Sequence, residues 1–278
     1  MDHRVGARVT ATLTVAGCRG SMCVSGERYR RYGGNTTCFH AEVETRHHLV
    51  IDAGTGIRSL QQRLTGDGPR RLTLFLTHYH WDHIQGLPTL SALSDPATTI
   101  DLYGAPFEGR TSREVLLGVM HPPWWPMSIG EVRATLRFHP LDGPVSVGEV
   151  TVSHASLSHP QGVVGYRLEG RRSVVIATDH ESGDAAADGR LRDLARDASV
   201  LVHDAQYTPE EHRRSYRGWG HSDWEGAVGV ARDAGVGRLI LTSHDPDRSD
   251  EQIDSIRGLA RGRFPKTDAA FEGMRIPI

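Results

Sequence analysis

Residues 77–86, THYHWDHIQG, contain the feature on which the rest of the sequence depends. Within six positions they hold His78, His80, Asp82 and His83, directly after the apolar run RLTLFL (71–76). The chain has 16 histidines, so chance clustering is one explanation. A metal site is the other, because alternate residues of an extended chain face the same way and His78 and His80 can share one ion. Asp82 and His83 need a turn to reach that cavity from another side.

Three further metal-ligand candidates follow apolar runs elsewhere in the chain. They are His159 in SLSHPQG, Asp179 in VVIATDHE and His244 in LILTSHDP. Taken singly, each is most simply a polar loop residue. Imidazole and carboxylate together are ligands that suit zinc, iron or manganese. The cluster at 78–83 needs distant ligands to complete a coordination shell, so the combined pattern predicts two metal ions at strand ends.

Length, charge and cysteine count limit the class of protein. The 278 residues suit one domain, predicted over 1–278, and the formal net charge is -2. This balance disfavours stable binding to a long nucleic acid. No apolar run approaches the ~20 residues of a membrane span. The odd count of 3 cysteines favours a reducing compartment, so we expect a cytoplasmic protein.

Hydrophobic periodicity predicts a mixture of strands and helices without a dividing linker. Ser222 and Ser249 each stand three residues before Glu or Gln, which predicts helix caps at both serines. Strands are predicted at 8–16, 38–44, 48–52, 72–77, 99–103, 132–138, 149–154, 163–168, 173–178, 199–203 and 238–242. Helices are predicted at 56–64, 111–120, 188–197, 209–216, 222–234 and 250–261.

The HxHxDH motif, followed by single His, Asp and His residues at strand ends, resembles the metallo-β-lactamase fold superfamily. Its phosphodiesterase branch, with ribonuclease Z, PhnP-type phosphodiesterases and cyclic-nucleotide phosphodiesterases, is the part that this chain looks like. GHS at 220–222 is the more selective mark of that branch. The motifs that carry the resemblance are GCRGS (17–21), YGGNTTC (32–38), IDAGTG (51–56), THYHWDHIQGLP (77–88), GYRLEG (165–170), LVHDAQYT (201–208), GWGHS (218–222) and SHDP (243–246).

The resemblance implies an α/β fold, an αββα sandwich with the metals at one edge, and a role for each motif residue. It assigns His78, His80 and His159 to one metal, Asp82, His83 and His244 to the other, and Asp179 to both. His221 would contact the substrate phosphate, and Asp82 and His221 would be the catalytic residues. Ser243 is a departure, because close relatives frequently have a second His there.

Two buried acids and two loops remain open to more than one interpretation. Asp52 is either a residue that orients a ligand imidazole or a turn residue, and Asp204 presents the same choice. Arg28, Arg30 and Arg31 of RYRRYGGN either clamp a phosphate or form a solvated loop. Trp124 and Trp125 of PPWWP are candidates for stacking on a base.

The function implied by the resemblance is hydrolysis of small phosphodiesters such as cyclic nucleotides, by a hydroxide held between two divalent ions. Zinc is expected, with manganese or iron as alternatives, and a homodimer is expected from resemblance alone. Only 20 positions separate His159 from Asp179, too few for the tRNA-gripping arm of ribonuclease Z. Three alternatives remain: a lactone, thioester or β-lactam hydrolase, a tRNA 3′-processing endonuclease, and a nucleotide-binding protein without turnover.

Overall fold

Two seven-stranded sheets form the centre of the computed structural model, which describes residues 11–64 and 68–278. The strands of the first sheet, in chain order, are β1 (Thr12–Gly17), β2 (Cys38–Glu44), β3 (His47–Ile51), β4 (Arg70–Phe75), β5 (Thr98–Tyr103) and β6 (Thr135–His139). The second sheet contains β7 (Val145–Val147), β8 (Val150–Leu157), β9 (Val163–Glu169), β10 (Ser173–Ala177), β11 (Val200–Asp204), β12 (Leu239–Thr242) and β13 (Thr267–Ala269). The last strand, β14 (Arg275–Pro277), returns to the first sheet beside β1.

Each sheet is antiparallel on one side and parallel on the other. The first has the order β14-β1-β2-β3-β4-β5-β6, and the second has the order β13-β12-β11-β10-β9-β8-β7. Pairing is parallel from β3 to β6 and from β10 to β13. The carboxyl ends of neighbouring parallel strands therefore lie along one edge of each sheet, where ligand sites of α/β proteins commonly form.

Apolar side chains from both sheets pack against each other, and the helices cover the outer faces. Phe39 and Leu49 of the first sheet belong to the same buried cluster as Val174 and Ile240 of the second. The helices are α1 (Trp81–Ile84), α2 (Ser112–Val119), α3 (Ala185–Ala195), α4 (Pro209–Glu211), α5 (Trp224–Asp233) and α6 (Asp250–Arg263). This arrangement confirms the αββα sandwich. No helix in the described part of the chain is long and apolar enough to cross a membrane.

Most local predictions hold with corrections at element ends. The helix predicted at 56–64 is instead a 3-10 helix, Thr55–Leu60, and the helix predicted at 209–216 is α4 followed by a π-helical turn, His212–Tyr216. The Ser249 cap is confirmed. The Ser249 hydroxyl accepts the backbone N–H of Gln252, and the Gln252 side chain accepts the backbone N–H of Ser249. The Ser222 cap is wrong: Asp223 caps α5, and the Ser222 hydroxyl donates to the carbonyl of His180. The strand predicted from residue 8 is observed from Thr12, and residues 8–10 lie outside the described part.

Candidate metal centre

Strand ends from both sheets meet at the candidate metal centre. Asp52 follows β3 with φ 62°, Asp179 follows β10 with φ 53°, and Ser243 follows β12 with φ 55°. The left-handed conformation is uncommon for residues other than glycine and costs on the order of 1–3 kcal/mol. Its occurrence at three strand ends beside one cluster indicates that the surrounding contacts hold these turns in place.

Ligand atoms around Asp179 form three groups; two contain the ligands suggested by the sequence, and the third joins Asp179 with Asp204 and His221. His78, His80, His159 and Asp179 offer atoms that all lie within 4.8 Å of one another. Asp82 and His83 form a second group with Asp179 by the same criterion. Six of the seven ligands suggested by the sequence are therefore brought together, and Asp179 is common to both groups.

Hydrogen bonds on the outer side of the rings fix how His80 and His159 face the centre. His80 Nε2 lies 2.6 Å from Gln161 Oε1, and His159 Nδ1 lies 2.7 Å from the Gly220 carbonyl oxygen. A carbonyl accepts and cannot donate, so each outer nitrogen carries the proton. The inner nitrogens, His80 Nδ1 and His159 Nε2, are left with lone pairs for a cation.

Thr77 and Asp52 orient the other two rings in the same way. The Thr77 hydroxyl donates to Asp52 Oδ2 over 2.8 Å, which leaves its lone pair to accept from His78 Nδ1 at 3.0 Å. Asp52 Oδ2 also accepts from His83 Nδ1 over 2.7 Å. Asp52 therefore orients the imidazole of His83, a candidate ligand, and both rings turn Nε2 to the inner side, where His83 Nε2 lies 3.1 Å from Asp179 Oδ2.

The first group fits a metal ion. The Nε2 atom of His78 is buried and has no hydrogen-bond partner. The inner nitrogens of His80 and His159 are only 3.0 Å apart. Burial lowers the pKa of both His78 and His159, which favours neutral rings at pH 7. Facing lone pairs without a shared proton repel, and a cation among them removes the conflict.

The second group fits a metal ion through its negative charge. His83 Nε2 lies 3.1 Å from Asp179 Oδ2 and 3.3 Å from Asp82 Oδ2. Burial alone would lower the pKa of His83, but Asp179, Asp82 and Asp52 outweigh it and raise the pKa well above its usual value. Buried carboxylates need compensating positive charge. A divalent cation would supply that charge and displace the proton from His83.

His221 lies beside the metal-ligand groups and is held by Asp204. Its Nδ1 donates to Asp204 Oδ2 over 2.6 Å, and its ring meets that of His159 edge-on at 5.3 Å between centroids. Burial would lower the pKa of His221, yet Asp204 and then Asp179 raise it to about 9. Asp204 is fully buried and also accepts the backbone N–H of Ser222 over 2.9 Å. Asp204 therefore holds the His221 ring in a fixed orientation at the edge of the centre.

The loop that carries His221 depends on a glycine. Gly220 has φ 90°, and a Cβ at this position would lie 2.0 Å from Nδ1 of His159. Only glycine allows the Gly220 carbonyl to approach the histidine this closely. Glu181 accepts the N–H groups of Gly218 and Gly220 over 2.7 and 2.8 Å, which holds the loop from below.

His244 is the sequence-predicted ligand that the structure does not bring into either group. Its Nε2 donates to the Ala270 carbonyl over 2.9 Å, and its ring meets Tyr32 edge-on. The preceding residue, Ser243, instead turns its hydroxyl to within 3.4 Å of Asp179 Oδ1. The structure therefore does not support His244 as a ligand, because the strand end presents its neighbour to the centre.

The arginine loop has carboxylate partners of its own. Arg31 pairs with Asp254 and Asp250 of α6, and Arg30 pairs with Glu27. Arg28 donates to the Asp247 carbonyl oxygen. Arg31 is thus committed to α6, whereas Arg30 is exposed beside Glu27, and a role of Arg30 and Arg31 in clamping a phosphate stays a prediction.

A cavity of about 490 Å³ lies next to His78 and His80. Its described lining includes Tyr79, Phe107 and Arg110 and does not include Trp124 or Trp125. Trp124 is 70% exposed. The prediction that the two tryptophans hold a base is therefore not supported by their positions, and Phe107 and Tyr79 are the aromatic residues at the cavity.

Several supporting residues were missed in the sequence. Thr77 holds both Asp52 and His78, Gln161 holds His80, and Glu181 holds the glycine loop. Thr77 and Gln161 each lie within two positions of a predicted ligand, and that proximity is the only sequence signal. Glu181 follows Asp179 by two residues, but the backbone N–H groups that donate to it lie 37 and 39 residues away along the chain.

Comparisons with known proteins agree with this geometry. Residues 47–244 match the family model of the beta-lactamase superfamily domain. Ribonuclease BN of Cronobacter sakazakii is 25% identical over 284 residues, which cover 82% of this chain and 89% of the relative.

Two solved structures have a similar fold. The metallo-beta-lactamase fold protein YhfI from Bacillus subtilis has a TM-score of 0.71 at 18% identity, covering 96% of this chain and 99% of that one. A diphosphatase of the PhnP family has a TM-score of 0.70 at 20% identity, covering 96% and 98%. With the family match spanning most of the chain, the protein belongs to the beta-lactamase superfamily, as a hydrolase with the metallo-β-lactamase fold.

Proposed function

We propose that this protein is a divalent-metal-dependent phosphodiesterase that hydrolyses small phosphodiesters such as cyclic nucleotides. The first group of ligands would hold one cation through His78, His80 and His159, and the second would hold another through Asp82 and His83. Asp179 would be shared. When bound, the cations would supply Lewis acidity to the attacking water and to the phosphate. Zinc suits the imidazole-rich group, while manganese or iron are alternatives.

The observation that carries the proposal is the His221–Asp204 pair. Phosphodiester hydrolysis needs a proton for the leaving oxygen, and a held imidazolium is a suitable general acid. His221 Nδ1 is committed to Asp204 at 2.6 Å, so its Nε2–H is the proton available for transfer. Asp204 fixes the ring and stabilises its charged form. Asp82, which also accepts the Ser21 N–H over 2.9 Å, would hold the water for attack.

The cavity beside His78 and His80 supports a small substrate. Its volume of about 490 Å³ falls within the range of small-molecule sites. Apolar lining residues, among them Pro106, Phe107 and Val119, suit the flat face of a base, and the Arg110 guanidinium, which lies over the Phe107 ring and 3.5 Å from Glu108, is a cation at the cavity. A folded RNA would instead need a broad basic surface, which a chain of net charge -2 does not provide.

A tRNA 3′-processing endonuclease is the second candidate, because ribonuclease BN is among the relatives. The interval between His159 and Asp179 is occupied by β9 and β10, and only residues 170–172 join them. No protruding arm exists in that interval. We therefore infer a small substrate held at the cavity, and not a tRNA held by contacts far from the cleaved bond.

A substrate panel tests the proposal. Metal-loaded protein would be assayed with 2′,3′- and 3′,5′-cyclic nucleotides, dinucleotides, a tRNA precursor, a lactone and bis(p-nitrophenyl) phosphate. We expect the cyclic nucleotides to have the highest kcat/KM among the natural substrates. Faster trimming of the tRNA precursor would favour the endonuclease, and preferred lactone cleavage would contradict phosphodiester chemistry.

Matched histidine variants separate the proposed acid from general effects. His221→Gln keeps a polar side chain of similar reach but cannot act as the acid at neutral pH. His154→Gln, on β8 outside the centre, is the control. We expect only the first to lose turnover. The homodimer suggested by the resemblance and the cytoplasmic location suggested by the cysteine count stay predictions, to be checked by light scattering and by localisation of the tagged protein.

A further inference from the structure

We propose that the two metal positions are unequal, and that the Ser243 hydroxyl occupies the place of an imidazole ligand at the second one. The second cation would then bind more weakly than the first, at a position whose oxygen-rich donor set accepts manganese as well as zinc. This inference rests on the two-metal site proposed above, and it identifies Ser243 as the residue that weakens metal binding at the second position.

The position of Ser243 is the first observation. The residue is fully buried and follows directly after β12. Its hydroxyl lies 3.4 Å from Oδ1 of Asp179, the carboxylate that both ligand groups share. Its φ of 55° is the turn that brings the side chain to the centre. The side chain therefore reaches the metal cluster from a strand end of the second sheet, as Asp179 does.

The orientation of His244 is the second observation. Its ring is buried, and its Nε2 is held by the Ala270 carbonyl over 2.9 Å. The small cavity that His244 lines is formed with Arg248, Ile253 and Ile256, on the side of α6. Movement of this ring into the centre would leave the Ala270 carbonyl without its partner and open a hole beside α6. The His244 imidazole is therefore held away from the centre and does not replace Ser243 there.

The donor atoms of the two positions differ as a result. The first offers three imidazoles, from His78, His80 and His159, and the Asp179 carboxylate. The second offers one imidazole from His83, with oxygens from Asp82, Asp179 and Ser243. Imidazole suits zinc, whereas oxygen-rich sites suit manganese and magnesium. A neutral hydroxyl is also a poorer ligand than an imidazole, which weakens the second position for any divalent ion.

Metal titration of the intact, metal-stripped protein tests the proposal without any assay of activity. Calorimetry with Zn²⁺ and with Mn²⁺, followed by elemental analysis after gel filtration, gives the number and affinity of bound ions. We expect one zinc to stay bound through gel filtration, and a second equivalent to bind at least about tenfold more weakly. Mn²⁺ should fill the second position of protein that already holds one zinc.

Replacement of Ser243 by cysteine tests the position of the side chain directly. The change is nearly isosteric and offers a soft thiolate, so Ser243→Cys should bind the second zinc at least about tenfold more tightly. With Co²⁺ it should also show a near-ultraviolet sulfur-to-cobalt charge-transfer band. The wild type, with its own 3 cysteines, and Ser255→Cys on the exposed face of α6 should show no such band.

His244→Gln distinguishes the two strand-end residues, because glutamine keeps a donor for the Ala270 carbonyl. We expect this variant, once circular dichroism shows it to be folded, to bind both ions as the wild type does. Loss of the second ion in His244→Gln, equal zinc affinities in the wild type, or no band in folded Ser243→Cys would each overturn the inference. Equal affinities would leave the proposed function standing, whereas a wild type that binds no ion would overturn both.

Discussion

The two sheets contribute to the metal centre in different ways. The first sheet supplies a compact group, since His78, His80, Asp82 and His83 lie within six residues at the end of β4. The second sheet supplies one residue from each strand end, among them Asp179 after β10 and Ser243 after β12. The residues from the first sheet are held largely by local chain geometry, whereas those from the second sheet depend on how separate strands pack and where each strand ends.

The two sheets therefore differ in how a shift of one residue along a strand would affect the candidate centre. A shift of one residue at the end of β4 would displace several candidate ligands. Thr77 opposes such a shift, because its backbone N–H and its hydroxyl both donate to Asp52 over 2.8 Å. A shift of one residue at the end of β12 would instead affect only the one side chain, Ser243, that this strand presents to the candidate centre.

The largest expected effect comes from the residue that joins the two groups. Asp179→Asn keeps the shape of the side chain but removes its charge from both metal positions. We expect both ions to be lost and kcat/KM to fall by more than about 10³-fold. Elemental analysis and hydrolysis of bis(p-nitrophenyl) phosphate would measure the two effects. Retention of two ions by this variant would show that Asp179 does not bridge the groups.

Separate variants of the two groups should remove different ions. His83→Ala should release the second ion and abolish turnover, because the second position then keeps only oxygen ligands. His78→Ala should release the first, zinc-preferring ion. Metal content of each variant after loading with zinc and manganese would check this. Identical losses in both variants would mean that the positions are not distinguishable.

The next effect concerns the proposed acid. His221→Ala should retain both ions and lose turnover by about 10²–10⁴-fold, the usual contribution of a general acid. Asp204→Asn should keep His221 in place but lower the pKa of its ring, since the carboxylate that raises that pKa is gone. The protonated form is the active one, so activity should fall at a lower pH than in the wild type. A pH profile of kcat/KM measures the shift, and an unchanged alkaline limb would argue against this role.

The smallest effect separates the cavity from the exposed loop. Phe107→Ala should weaken binding of a purine cyclic nucleotide by about 1–3 kcal/mol, because one stacking face is lost. Trp124→Ala should change KM little, since Trp124 does not line the described cavity and is 70% exposed. The base-free cyclic ribose phosphate is the control substrate. A larger loss for Trp124→Ala would restore the tryptophans as the binding residues.

The sequence predicts the fold well where hydrophobic patterns are long. Three observed strands were not predicted from the sequence: β7, β13 and β14. Each has only 3 residues, which is too short for a hydrophobic period to be visible. The order of the strands in the second sheet could not be predicted from the sequence either, because pairing between strands far apart in the chain leaves no local sequence pattern. The helix at α5 was placed correctly, but its cap is Asp223 and not Ser222.

The candidate site was predictable to the extent that its residues lie close together in sequence. The pattern at 77–83 gives four ligands, but LILTSHDP does not say whether Ser243 or His244 faces the centre. Adjacent residues of an extended chain point to opposite faces, so an error of one position reverses the assignment. The partners of Arg31 are equally invisible, because Asp254 lies 223 residues further along the chain.

Hydrolysis of bis(p-nitrophenyl) phosphate by metal-stripped and reconstituted protein tests most directly whether these strand ends form a two-cation phosphodiesterase centre. We predict no hydrolysis by stripped protein and full recovery on adding zinc and then manganese, with the rate rising until two equivalents per chain are bound. Hydrolysis that survives stripping, or that reaches its maximum at one equivalent, would contradict the proposed centre.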